Sequence, residues 1–154
     1  MKLSKSEVII INENNFPIPS NIEKIVDSTL TLTDQDKNIS VTISFVTLDE
    51  MVNLNKLYRG YAHPTDVLSF EADEFDPETG RKILGDIIIC YPFVKEQSYS
   101  FGNKIEDEIY LMVIHGILHL SGFVHDDETQ KSIMWDMQSR ILKENNIHLT
   151  QLPE

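Results

Sequence analysis

Ile114-His115-Gly116-Ile117-Leu118-His119-Leu120-Ser121-Gly122-Phe123-Val124-His125 is the stretch from which the rest of the chain is read. It closes a longer segment, Lys104 to Leu120, in which Ile105, Ile109, Leu111, Met112, Val113, Ile114 and Leu118 fall on several sides of a helix. A helix apolar all round belongs in the middle of a domain, not on its surface. Gly122 ends it, and Asp126 or Asp127 can cap a last helix running to about Asn145, with Ile133, Met134, Met137, Ile141 and Leu142 as its inner face.

Working back from this helix, Asp66 to Glu71 and Asp86 to Cys90 are apolar, β-branched runs. The acidic segment between them, with Pro77 and Gly80, predicts two neighbouring strands joined by a long hairpin-like connection. Leu48 to Tyr58 places Met51, Leu54, Asn55 and Tyr58 on one helical face. Val41, Ile43 and Phe45 alternate with Thr42, Ser44 and Val46 as a half-buried strand, and Asp34 to Asn38 reads as a loop. Nearer the start, Val8 to Asn12 is a strand, and the Pro17, Pro19, Ser20, Asn21 cluster opens a helix with Ile22, Ile25, Val26 and Leu30 at helical spacing. Strands and helices alternate in the first part and helices alone follow Pro92.

The bulk properties fit one folded domain over residues 1–154: the chain has 41% hydrophobic and 25% charged residues, with no repeat, linker or low-complexity tract. The apolar run Val8 to Ile11 is too short for a signal sequence, no segment reaches the length of a membrane span, and the single cysteine, Cys90, has no partner. A cytoplasmic location without membrane contact is therefore expected. The net charge of −12 opposes nucleic-acid binding unless it is unevenly spread; Glu71, Asp73, Glu74, Asp76 and Glu78 are five acids that can point away from a site.

Four residues separate His115 from His119, so on a helix the two imidazoles share one face, the arrangement of two ligands to one metal. A bare pair of this kind is more often two packing histidines. The glycine three residues later changes that balance, because it lets the chain turn and bring His125 back to the same point. Three neutral nitrogens with a fourth position open describe a catalytic zinc site rather than a closed structural one. Metzincin peptidases share the spacing H-x-x-x-H-x-x-G-x-x-H but carry a glutamate after the first histidine as general base, and that position is Gly116 here.

His-Gly-x-Leu-His-Leu-x-Gly-x-x-His at His115 to His125, Leu54-Asn55-x-x-Tyr58-Arg59 leading to Thr65-Asp66-Val67-Leu68-Ser69-Phe70, and Leu84-Gly85-Asp86-Ile87 together resemble the YbeY family of bacterial metallo-endoribonucleases. The resemblance spans nearly the whole chain. It implies an α+β fold: a small mixed sheet of about four strands with about five helices, and the zinc site at the end of the buried central helix. It implies a zinc ion on His115, His119 and His125, catalytic roles for Arg59 and His115, and substrate binding by Arg59. The implied activity is cleavage of single-stranded RNA in 3′-end maturation of 16S ribosomal RNA and in ribosome quality control. The implied partners are the small ribosomal subunit, ribosomal proteins and a ribosome-assembly GTPase. The chain departs from the family pattern at Tyr61-Ala62, where Lys-Asp is common, and at Val124, where Asp is frequent.

In chemical terms, three neutral ligands leave a zinc ion its full double charge to attract a phosphodiester and acidify water. Arg59 is suited to bidentate contact with phosphate oxygens; its alternative role is a surface ion pair at a helix end. Asp66, Asp86, Asp126 and Asp127 are candidates to hold a histidine N–H or move a proton, with helix capping the competing role for Asp126 and Asp127, and turn chemistry for Asp66 and Asp86. Met134, Trp135 and Met137 are expected to fill the core beneath the metal, and His63 and His148 receive no role. Two other readings are an RNA-binding ribosome-assembly factor with structural zinc, and a zinc peptidase in which another acid replaces the missing glutamate.

Overall fold

Four strands form one mixed sheet in a computed structural model that describes residues 5–150. The strands are β1 (Glu7–Ile11), β2 (Ile39–Val46), β3 (Val67–Phe75) and β4 (Lys82–Cys90), in the order β1-β2-β4-β3. β1 and β4 both run parallel to β2, while β3 returns antiparallel along β4 and forms an edge. Five helices, α1 (Ile22–Leu32), α2 (Leu48–Arg59), α3 (Tyr91–Phe101), α4 (Ile105–Leu120) and α5 (Glu128–Glu144), complete the α+β domain. The outermost parts of the expected 1–154 domain, residues 1–4 and 151–154, lie outside the described residues.

α4 is the helix anticipated from its all-round apolarity. Ile109, Val113, Ile114, Ile117 and Leu118 are fully buried, and the helix packs on β3 and β4 with α1, α3 and α5 around it. Gly116 lies on the sheet side: a Cβ there would meet Ile87 atoms at 2.7, 2.9 and 3.0 Å, so its lack of a side chain lets the helix sit close to β4.

The second face of the sheet carries α2, which joins Met51 to Val46, Leu68 and Cys90 in a smaller apolar cluster. The alternation expected at 41–46 holds for Thr42 and Ser44, half-buried between the buried Val41, Ile43 and Phe45, but Val46 is buried too because β2 is central and covered on both faces. Both hairpin strands also reach further than expected, so the acidic residues Asp73 and Glu74, beyond the anticipated end at Glu71, belong to β3 and only Asp76 to Arg81 form the turn. On α2, Tyr58 is not on the buried face; it is 60% exposed and its ring meets Phe70 at 4.9 Å. On α5, Ile133 is exposed and Gln138 takes a place on the inner face beside Met134, Ile141 and Leu142.

Candidate metal centre

His115 and His119 project from the last turns of α4, and the chain then reverses through a glycine-dependent helix stop. Phe123 N–H donates to Leu118 O at 2.9 Å and Gly122 N–H to His119 O at 3.1 Å, with Gly122 at φ +103°, a conformation that side chains disfavour. Phe123 packs back on the core, and two residues later His125 is delivered to the end of the helix. The three imidazoles converge: ring centroids are 5.1 Å apart for His115–His119, 5.8 Å for His115–His125 and 5.1 Å for His119–His125. One ring nitrogen from each lies within 4.8 Å of the others, and among the described residues no cysteine, aspartate, glutamate or further histidine joins this group.

The surroundings prepare these rings to act as ligands. Gln138 Oε1, on α5, lies 2.7 Å from His115 Nδ1. An amide oxygen only accepts, so Nδ1 carries the hydrogen and the free lone pair of His115 is on Nε2. Burial, reinforced by the neighbouring imidazoles, lowers the pKa of His115 from 6.5 to about 4. His119 is also held below its ordinary value, chiefly by burial and then by His125, while Asp126 and Glu71 pull the other way. Both rings are thus uncharged near neutrality, the form in which imidazole binds metal.

Beside the cluster opens a cavity of about 270 Å³, lined by His115, His125, Asp66, Lys131, Trp135 and Gln138 among others. Burial raises the Asp66 carboxyl pKa, against the opposing hydrogen bond from Val67 N–H to Asp66 Oδ1, 2.8 Å long. Its side chain also bonds Gln97, which donates at 3.4 Å to the fully buried Glu108.

The acids foreseen as histidine partners take other positions. Asp127 caps α5, accepting from Gln130 N–H at 2.7 Å, and Asp126 acts on His119 through its charge. Asp86 lies within β4 on an exposed face, not at a turn. The hydrogen-bond partner of His115 is Gln138, which the apolar pattern of α5 did not single out because a glutamine breaks that pattern. Trp135 is likewise more than core filling: it meets His115 at 5.9 Å and His125 at 5.7 Å, nearly perpendicular to both. Nor do all the acids of the hairpin point away, since Glu71 is near enough for its charge to act on His119.

Arg59 is the last residue of α2, before Gly60 at φ +77°. It does not line the cavity, and the recorded contact of its guanidinium among the described residues is with the Tyr61 ring, 5.6 Å from the centroid, not an ion pair. The loop from Gly60 to Asp66 connects it to the cavity wall, and Asn55 Nδ2 braces that loop by donating to His63 O at 2.8 Å.

An α+β domain that gathers three imidazoles at the end of its central helix is a candidate single-metal protein of the kind expected for a hydrolase. The sequence model of "Endoribonuclease YbeY" matches residues 5–146. Among relatives bearing that description, the chain is 38% identical to one from Staphylococcus epidermidis over 77% of this chain and 83% of the relative. It is 34% identical to one from Mycobacterium leprae over 89% and 82%, respectively. A Thermotoga maritima protein of known solution structure aligns over 89% of this chain and 87% of its own, with a TM-score of 0.61 and 30% identity. The chain belongs to the endoribonuclease YbeY family.

Proposed function

We propose that the protein is a zinc-dependent endoribonuclease that cuts single-stranded RNA. The carrying observation is the three-histidine cluster with no fourth protein ligand among the described residues, in a chain whose relatives are described as endoribonucleases. The donor set fits the metal: three imidazole nitrogens suit zinc, and Gln138 gives His115 the outer partner that metal-bound histidines ordinarily have. A zinc ion there supplies a Lewis acid that draws a phosphodiester and acidifies water.

The remaining work falls to the chain's own groups. Gln138 holds the His115 proton on Nδ1 and so keeps Nε2 free. Arg59 presents a planar fork of donors to phosphate oxygens as charge develops on them, with Tyr61 supporting its guanidinium. Asp66, its carboxyl pKa raised by burial, stands in the cavity wall where it can hold or release a proton. A side chain at position 116 would not supply a peptidase base, because a Cβ there meets Ile87 on the sheet side; the peptidase alternative therefore depends on an acid from elsewhere.

The RNA in this reading is the 3′ end of the small-subunit (16S) ribosomal RNA, in maturation and ribosome quality control. The protein acts in the cytoplasm on the small subunit, with ribosomal proteins and a ribosome-assembly GTPase as partners. No described helix is long and apolar enough to cross a membrane. Wild type and Arg59→Ala, both zinc-loaded, are to be compared on single-stranded and duplex RNA. Wild type cleaves the single strand preferentially and Arg59→Ala is roughly a hundredfold slower, the scale of losing one transition-state donor. Equal, slow cleavage by both proteins would instead favour an assembly factor with structural zinc.

A further inference from the structure

The cavity beside the histidines contains a pair of side chains that the metal chemistry and Arg59 leave unused. Lys131, near the start of α5, lines the cavity, and its Nζ lies 5.5 Å from the centre of the Trp135 ring. Trp135 in turn stands perpendicular to His115 and His125. An ammonium over an indole is attracted to the ring face, which biases a half-exposed lysine towards one position. Among the described residues that line this cavity, Lys131 is the sole Lys or Arg, in a chain whose net charge is −12. A positive charge placed there is a specific feature and not part of a generally basic surface.

The remaining walls distinguish the ligand. Val67, Leu111 and Met112 join Trp135 in an apolar lining, and Asp66 and Gln138 supply polar atoms. The volume of about 270 Å³ is close to the roughly 300 Å³ at which pockets for small organic ligands begin, space for one nucleotide and not several. We infer that this cavity is a subsite for one nucleotide of the RNA strand, with its base against Trp135 and its phosphate drawn by Lys131. When the base enters, the ammonium moves from the ring face to the phosphate and gains a charge-assisted hydrogen bond. A base can enter only if it is unstacked and unpaired, so the same subsite provides a physical reason for preferring single strands. The inference rests on the RNA reading for its ligand, but not for its test.

Trp135 is the sole tryptophan in the chain, so intrinsic tryptophan fluorescence reports on this cavity alone. Zinc-loaded protein is titrated with adenosine monophosphate, with inorganic phosphate and with a short single-stranded oligoadenylate. The nucleotide and the oligomer quench saturably, at concentrations well below those at which inorganic phosphate does. Lys131→Gln weakens nucleotide binding by roughly fivefold, as for loss of one exposed ion pair, and Lys131→Arg restores it. For the oligomer, Lys131→Gln also reduces the slope of log affinity against log salt by about 0.7, the share of one phosphate contact on a single strand. Trp135→Leu, followed by anisotropy of a labelled oligomer, binds roughly tenfold more weakly. Unchanged nucleotide binding in Lys131→Gln, or inorganic phosphate binding as tightly as the nucleotide, overturns the subsite. Cleavage of single-stranded RNA measured in parallel separates the two claims. Cleavage without Lys131-dependent quenching sinks the subsite and leaves the nuclease. Lys131-dependent quenching without cleavage sinks the nuclease and leaves a nucleotide site.

Discussion

α4 and α5 both reach the histidine centre, but they contribute in different ways. α4 is apolar on every side and fully enclosed over most of its length, so its two histidines are fixed by a rigid, buried rod. α5 is amphipathic and half exposed, and it contributes what surrounds the ligands: Gln138 behind His115, Trp135 across two of the rings, and Lys131 at the cavity. The first helix supplies candidate ligands through their spacing. The second supplies the ring tautomer and the cavity wall through packing, and its residues act only because α5 lies against α4.

The sharpest way to break this division is His119→Ala. Elemental analysis of the purified variant should show zinc lost, and RNA cleavage should fall by more than the roughly hundredfold typical of removing an outer partner. Zinc retained at the wild-type level would remove α4 from its role as ligand helix. Gly116→Glu tests the other property of α4, its close approach to the sheet. Overpacking against Ile87 together with a buried carboxylate should destabilise the fold by about 3 kcal/mol or more, read from the denaturant midpoint. A stable variant that gained peptidase activity would reverse the steric argument.

Gln138→Leu probes α5. Zinc affinity, measured by competition with a chelator, should drop roughly tenfold to a hundredfold while the melting temperature changes little, and Gln138→Glu, which keeps an acceptor, should bind at least as well as wild type. Equal affinity in all three proteins would reduce α5 to a packing element. The smallest effect is in pH dependence. His115 has a folded pKa of about 4 against an ordinary 6.5, so the unfolded chain takes up the proton first on acidification. Metal-free protein should therefore lose stability as the pH falls from about 6.5 to about 4, and His115→Gln should flatten that part of the curve. A pH-independent wild-type stability across this window would show the ring to be freely solvated.

Legibility followed the same division between local and distant causes. The α2 start was readable in principle, because Thr47 and Glu50 form a reciprocal cap, each accepting from the other's backbone N–H at 3.2 and 3.1 Å. The extension of β3 past Glu71 was not, because Glu74 and Phe75 are held by pairing with Ile83 and Lys82 on β4, which outweighs the weak strand preference of the acidic residues there. Tyr58 fitted the helical period yet faces outward, since what it meets is Phe70 from a different element.

By itself the sequence determined the buried central helix, the two imidazoles one turn apart, the glycine stop that returns the third, and the family to which these belong. Each depends on residues close together in the chain, where helical periodicity and backbone conformational limits act directly. Only the tertiary structure decided that Gln138 holds His115, that Trp135 and Lys131 share the cavity, that Gly116 is needed by Ile87, and that Arg59 rests on Tyr61 outside the cavity. Most of these contacts join elements far apart in sequence, and even the local Arg59–Tyr61 pair takes its place from the loop that Asn55 braces. Packing brings such groups together, and no spacing rule encodes it.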